Sequence, residues 1–279
     1  MEIQKLKQKL YEQKNKIGLV RGSIDIKEYD DAEQDISAGI SPETWDIEIK
    51  LKKGFSPIQD KRQKAYARKK KIAEGLEIML SDISTHEFAH WELPLESGKG
   101  CPYDIYNHDK ILEAVRQALP ENKQEHASYV ANAFEDSIIN PRAREFNQET
   151  SKRNELSGQI LFWDNEGLRC KNKGQSSYTP FYEAFVKLNM HLFGDNADKA
   201  LLKRHYSNNK KIDNAVKKTI ADLKLKENIK DTSALFYKEK WAQMAKIFTR
   251  NLAELLETSP TERLSASSQA EKGEGEGME

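Results

Sequence analysis

The chain has 279 residues, of which 37% are hydrophobic and 32% are charged, the composition of a soluble globular protein. No run approaches the roughly 20 apolar residues that cross a bilayer, and 45 basic residues balance 45 acidic ones, so we expect no membrane span and no global basic field for nucleic acid. Cys101 and Cys170 are too few for a disulfide scaffold and the N-terminus lacks a secretory signal, so we expect a cytoplasmic protein.

Composition divides the chain into four parts. Residues 1–22 are charged and predict an N-terminal helical segment, and residues 23–150 form the expected core. Residues 151–258 predict a helical C-terminal part. Residues 259–279 are rich in Ser, Gly and Glu and offer almost nothing to bury, so we expect a disordered tail there.

The first regular pattern is a strand. From Trp45 to Leu51, apolar residues alternate with charged ones, which places one face of a β-strand on a core. The segment from Ser23 to Lys27 repeats the pattern more weakly. Together they predict a small sheet of two or three strands.

A long helix is predicted from about Asp60 to His90. Its apolar positions are spaced 4, 3 and 4, which is one stripe of an α-helix: Ile72, Leu76, Met79 and Ile83. The same spacing, continued, leads to His86 and His90. Both imidazoles are therefore expected on the extension of the buried face.

The remainder of the chain predicts further helices and one hairpin. A loop is expected at 94–108, a helix at 109–119, and a second helix at 121–140 that ends or kinks at Pro141. Residues 158–173 are interpreted as a hairpin that turns between Asn165 and Gly167. Helical patterns then return at three places: 181–192, 210–225 and 233–256. The expected fold class is α+β, mainly helical, with a small sheet packed on the helix of the two histidines.

The segment from His86 to His90 reads HEFAH, an HExxH motif. Residues four apart lie on the same side of a helix, so both rings reach one ion at roughly 2.0 to 2.1 Å. Glu87 flanks that position and is placed to accept a proton from a metal-activated water. The alternative is a pair of buried structural histidines, but the preceding strand and apolar stripe favour the metal site.

A third ligand is expected from the helix at 121–140. Asn132, Asp136 and Asn140 follow one another at spacings of four and form a polar stripe beside apolar residues, which is costly unless the stripe has partners. Asp136 is the preferred metal ligand, with Asn140 one turn later to bond a ligating histidine. Glu135 stays an alternative, and an ordinary solvated face is the competing interpretation. Two histidines are weaker ligand candidates, His108 and His126.

The segment HEFAHWELP, the Gly100-Cys101-Pro102 loop, NHDKIL and NAFEDSIINP together resemble the zincin-type metallopeptidases associated with von Willebrand A-type domains. The resemblance covers roughly residues 45–147. It implies a zincin-like core with Zn²⁺ held by His86, His90 and either Asp136 or Glu135, and Glu87 as general base. Thermolysin-like enzymes place the ligating Glu four residues before an Asp, where this chain has Asn132.

The activity implied by the resemblance is peptide hydrolysis by a zinc metallopeptidase, with a peptide or protein as substrate and an AAA ATPase or a von Willebrand A-type domain as possible partner. Candidate donors to the oxyanion are Tyr103, His108, His126, Tyr129 and Tyr178. The strand from Trp45 to Leu51 is the candidate edge strand for the substrate, or else a plain half-buried strand. Cys101 is either a thiolate that blocks the metal or a buried loop thiol.

Two other classes of function compete with the enzyme. A catalytically weak or inactive zinc-binding adaptor in an ATPase assembly would use basic positions of the C-terminal part: Lys203, Arg204, Lys210 and Lys211. A nucleic-acid-binding protein would use the basic run from Lys61 to Lys71. Because the net charge is zero and no reader motif is present, we expect no nucleic-acid partner as the main function.

Overall fold

The computed structural model describes residues 3–16, 22–30, 35–41, 44–73, 75–90, 108–151, 155–174, 177–228 and 238–257. It is mainly helical with one small sheet, which confirms the predicted α+β class. Within the described part of the chain, no helix is long and apolar enough to cross a membrane. The expected tail at 259–279 and most of the loop at 94–108 lie outside the described residues.

The three strands are β1 (Ile24–Tyr29), β2 (Ile36–Ile40) and β3 (Ile47–Lys52). The helices before the chain's midpoint are α1 (Ile3–Lys16), α2 (Lys61–Lys69), α3 (Gly75–Ala89), α4 (His108–Ala118) and α5 (Ala127–Ser151). The later helices are α6 (Ser157–Asn172), α7 (Pro180–Leu192), α8 (Asn196–Leu202), α9 (Lys210–Asp222), α10 (Leu225–Asn228) and α11 (Lys238–Leu252). The 3₁₀ segments among the described residues are Glu121–His126, Lys203–His205 and Ala253–Leu255.

The sheet has the order β1-β3-β2, with β1 parallel and β2 antiparallel to β3. Ile47, Ile49 and Leu51 are buried on one face, as the alternation predicts. The expectation that this strand lies at an edge is wrong, because β3 is hydrogen-bonded on both sides. Within the described sheet, the edge strands are β1 and β2.

Helix α3 lies at the centre of the molecule. It packs against α5 on one side and α6 on another, and it also contacts α1 and the edge strand β2. Every described residue from Asp82 to His90 is therefore buried. The buried apolar residues form one core that extends from Leu6 to Leu256, so the helices after residue 151 share it with the earlier ones.

The single helix expected at 60–90 is in fact two helices, α2 and α3. Lys71 adopts φ +57°, the left-handed region, and ends α2. The Ile72 N–H then donates to the Ala67 carbonyl at 2.8 Å and the Lys71 N–H to the Arg68 carbonyl at 3.2 Å, which is a Schellman termination. Ile72 therefore lies in the break, and the stripe that leads to the histidines begins at Leu76.

The hairpin expected at 158–173 is wrong, because these residues form the helix α6. Its glycines are sites of close packing rather than of turns. A Cβ at Gly158 would lie 2.3 Å from the Ile78 carbonyl oxygen on α3, and a Cβ at Gly167 would lie 2.5 Å from the His205 ring. Asn165 donates to the Leu161 carbonyl, within its own helix, at 2.8 Å.

The other helices agree with the sequence patterns apart from their ends. The helix expected at 121–140 begins with a 3₁₀ turn, and α5 continues through Pro141 to Ser151. The helix expected at 210–225 ends at Asp222 in α9. Helices α4, α7 and α11 confirm the remaining patterns, although 229–237 lies outside the described residues.

Candidate metal centre

The two histidines of the HExxH motif come together at the end of α3. His86 and His90 are one helical turn apart and are 4% and 8% exposed. Their Nε2 atoms are 3.3 Å apart, and the two rings meet edge to face with centroids 4.9 Å apart. Two imidazole nitrogens thus face the same point, as the spacing in the sequence predicts.

Asp136 supplies the third donor from α5. Its Oδ1 lies 3.2 Å from the His86 Nε2 and 3.8 Å from the His90 Nε2. Bonds of about 2.0 to 2.1 Å to a tetrahedral zinc ion place its ligand atoms roughly 3.3 Å apart. The triangle formed by His86, His90 and Asp136 therefore has the size that such an ion requires. Among the described residues, these three form a group whose ligand atoms are close enough together to hold a metal ion.

A chain of amides orients the His86 ring. Its Nδ1 lies 3.0 Å from the Asn140 Oδ1, and this oxygen only accepts, so Nδ1 carries the proton. Asn140 in turn donates to the Asn189 Oδ1 at 3.1 Å, and Asn189 donates to the Phe185 carbonyl at 2.9 Å. The Nε2 of His86, the atom that would bind a metal, thereby faces Asp136, as in metal sites whose histidines are fixed by outer hydrogen bonds.

Glu87 is fully buried beside the three donors. Neither of its carboxylate oxygens has a hydrogen-bond partner among the residues that the structure describes. Burial raises its pKa from the ordinary 4.5 to about 7, with His86 lowering it and Asp136 raising it further. An unpartnered buried carboxylate is costly to the fold, so its presence is typical of a functional site.

The two histidines differ in protonation when no metal is bound. Burial lowers the pKa of His86, but the Asp136 carboxylate outweighs it and raises the pKa to about 9. For His90, burial and the neighbouring His86 and His108 charges lower the pKa well below its ordinary value. A metal ion binds neutral imidazoles, so its binding would release the proton of His86.

Glu135, the alternative ligand, lies outside this triangle of donors. Its Oε1 lies 2.8 Å from the Nδ1 of His108, the first residue of α4. The Glu135 charge raises the pKa of His108, whose own charge acts on His90. Of the two neighbouring carboxylates, Asp136 is the one that meets the histidines of the motif, and Glu135 is paired with the imidazole of His108.

The remaining candidates from the sequence have other places. His126 lies 2.8 Å from the Glu257 carbonyl, and the Tyr178 hydroxyl donates to the Trp163 carbonyl at 2.9 Å. Tyr129 packs on the ring of Phe181. Tyr103 and Cys101 lie outside the described residues.

Asn132 lies one helical turn before Asp136 and beside its carboxylate. Its Nδ2 lies 3.5 Å from the Asp136 Oδ2. The amide thus contacts the oxygen of Asp136 that does not face His86. Asn132 is placed to orient the carboxylate rather than to bind the ion.

A buried polar network that the sequence analysis missed holds α3 in place. Asp82 accepts from the Asn147 Nδ2 at 2.9 Å and from the Gly158 N–H at 2.6 Å. Thr85, which precedes the first histidine, lies 3.0 Å from the Asn147 Oδ1 and also bonds Gln13 on α1. Asp82 and Thr85 are polar residues within an apolar helical stretch, and that pattern is the signal for such a network.

One of the basic positions proposed for an adaptor surface is not exposed: the prediction that Arg204 contacts a partner there is wrong. Its guanidinium pairs with Asp164 and Asp60 and is largely buried. Lys211 pairs with Glu254 at 2.9 Å in an exposed ion pair. The proposed surface is therefore partly occupied by contacts within the chain.

Comparisons with protein-family models, with curated proteins and with solved structures find no match.

Proposed function

We propose that the chain is a zinc-dependent metallopeptidase with a zincin-like site. The observation that carries the proposal is the triangle of His86, His90 and Asp136, with an unpartnered, buried Glu87 beside it. A structural metal site has no use for a buried base next to its ligands. The combination of three donors and one free carboxylate is what metal-assisted hydrolysis requires.

The donor set favours zinc. Two imidazole nitrogens and one carboxylate oxygen form a mixed set that suits zinc better than calcium or magnesium, which prefer oxygen ligands. Three protein ligands leave a fourth position of a tetrahedral ion open for solvent. When bound, zinc lowers the pKa of a coordinated water to about 7 and polarises a carbonyl group.

The residues of the chain divide the remaining work. Glu87 is placed to accept the proton of the attacking water and to pass it to the leaving amine, since it is buried next to the first histidine and neither carboxylate oxygen has a described hydrogen-bond partner. A donor to the developing oxyanion is also needed. Of the donors that the sequence suggests, we assign this role to His108, which lies near the two histidines of the motif and is held by Glu135 at 2.8 Å. Asn140 keeps the His86 ring oriented throughout the reaction.

The edge strand β2 is the proposed support for the substrate. It contacts α3, which carries the histidines, and within the described sheet it pairs with β3 alone. An extended peptide can add to such an edge through main-chain hydrogen bonds. The sequence favoured β3 as the strand that binds the substrate, but the edge position of β2 favours β2 instead.

The test replaces Glu87 by Gln and compares zinc content with hydrolysis of an unstructured protein such as casein. The variant is expected to keep its zinc and to lose at least 100-fold in rate, since general-base catalysis contributes about 10² to 10⁴. The matched control is Glu113→Gln, an exposed carboxylate on α4. Equal hydrolysis by wild type and Glu87→Gln, or none by either with zinc bound, would leave the zinc-binding adaptor as the function.

A further inference from the structure

Helix α2 is held rigidly by its inward side chains. The Gln63 Nε2 donates to Asp164 at 2.9 Å, and the Tyr66 hydroxyl donates to Asp198 at 2.8 Å. Lys70 pairs with the same Asp198 at 3.1 Å. At its N-terminus, Asp60 and Gln63 form a capping box. The inward face of the helix is therefore fully engaged with α6 and α8.

The outward face of α2 has a different character. The segment from Lys61 to Lys71 holds seven basic residues and no acidic one. Six of them are exposed: Lys61, Arg62, Lys64, Arg68, Lys69 and Lys71. Ala65 is the other exposed residue of the helix. None of the six side chains makes an ion pair or a hydrogen bond with any residue that the structure describes, whereas elsewhere many exposed lysines are paired, as Lys27 is with Glu48 at 2.6 Å.

Five of the six unpaired charges form two adjacent rows on the helix. Lys61, Lys64 and Arg68 are spaced 3 and 4 and share one side of the helix, and Arg62 and Lys69 flank Ala65 on the next row. At 1.5 Å per residue, the rows extend about 12 Å. Double-stranded DNA carries one negative charge per roughly 1.7 Å of its axis, so about seven phosphate charges lie within that length.

We propose that the exposed face of α2 is a docking surface for the phosphate backbone of double-stranded DNA. Protein interfaces are built around an apolar centre, and the largest uncharged exposed side chain here is Ala65. Insertion into a membrane needs an apolar helix face, but the apolar face of α2, with Tyr66 and Ala67, is buried in the fold. The exposed face has no aromatic ring for stacking on single-stranded bases.

Binding through this face is expected to be independent of base sequence and steeply dependent on salt. Three to five phosphate contacts give a slope of about −3 to −4.5 in log affinity against log salt. Affinity then falls by roughly 40- to 500-fold between 50 and 200 mM salt. The basic run is visible in the sequence, but the zero net charge argues against a nucleic-acid role; the structure shows that the acids that balance it lie elsewhere in the chain.

The test measures binding of a labelled 20-base-pair DNA duplex by fluorescence anisotropy. The variant Lys64→Glu/Arg68→Glu is expected to lose at least 30-fold in affinity. The matched control, Lys210→Glu/Lys217→Glu, makes the same charge change at two exposed positions of α9 and is expected to lose less than threefold. Both variants should keep the wild-type melting temperature, since none of the four side chains makes an ion pair or a hydrogen bond with a described residue.

Three results would overturn the proposal. Equal losses in the two variants would mean that only net charge matters. A salt slope near zero would exclude phosphate contacts. Tighter binding to vesicles of phosphatidylserine than to DNA at the same salt would make the surface a membrane contact.

Zinc content and casein hydrolysis of the Lys64→Glu/Arg68→Glu variant are expected to stay unchanged. Failure of the DNA-binding proposal is therefore distinct from failure of the peptidase proposal.

Discussion

Replacing Glu87 by Gln is expected to change the stability of the metal-free protein more favourably at high pH than at low pH. In the unfolded chain the carboxyl releases its proton near pH 4.5, but in the folded protein it keeps the proton to about pH 7. Between these values the folded state binds more protons than the unfolded state. The contribution of Glu87 to the free energy of unfolding therefore falls as the pH rises from 4.5 to about 7.

The size of this effect follows from the shift in the pKa. A shift of 2.5 units corresponds to about 3 kcal/mol at pH 8 and less than about 1 kcal/mol at pH 5. Gln carries no charge, so the variant lacks this loss. The stability difference between Glu87→Gln and wild type should therefore grow by about 2 kcal/mol from pH 5 to pH 8.

Urea unfolding of chelator-treated protein at pH 5 and pH 8 measures this difference. Comparison of the two pH values cancels the cost of burying the Gln amide, which does not titrate. The control Glu113→Gln changes an exposed carboxylate, and its stability difference should be alike at both pH values. If the difference for Glu87→Gln is also the same at both, the carboxyl ionises normally in the fold and the reasoning from its burial is refuted.

Three further predictions concern the support of the centre. Asn140→Ala should lower zinc affinity by about 10- to 100-fold in a chelator competition, because His86 loses the acceptor that orients its ring; an unchanged affinity would contradict this role. Gly158→Ala should destabilise the protein by about 2 kcal/mol in urea, because its methyl group meets the Ile78 backbone; a stabilised variant would show that the helices separate freely. Phe134→Ala should cost about 3 to 5 kcal/mol in the same assay, since this ring is fully buried against two aromatic rings of α11; a loss below about 1 kcal/mol would show a core that refills the space.

The part of the site that lies on one helix is predictable from the sequence. The spacing of four between His86 and His90, and between Asp136 and Asn140, fixes which side chains share a face because helical periodicity is local. The same reasoning fails to choose between Asp136 and Glu135. That choice depends on how α5 is rotated against α3, which is set by packing over the whole core.

Two errors in the fold each have a physical explanation. The break after α2 uses Lys71 in the left-handed region, where glycine is the usual signal. In α6, Gly158 and Gly167 suggest a turn in the sequence. In the structure they are needed because α3 and His205 approach them too closely to leave room for a Cβ atom. At Lys71 the usual glycine signal is missing, and in α6 contacts distant in sequence explain the glycines, so local patterns do not report either feature.

The central claim is that His86, His90 and Asp136 bind one zinc ion. Mass spectrometry of the metal in the purified protein and in two single variants tests this claim most directly. Wild type and Glu135→Ala are expected to retain one zinc ion per chain, whereas Asp136→Ala should retain almost none, because its Oδ1 completes the triangle with the two histidines. Retention of zinc by Asp136→Ala together with its loss from Glu135→Ala would contradict the account.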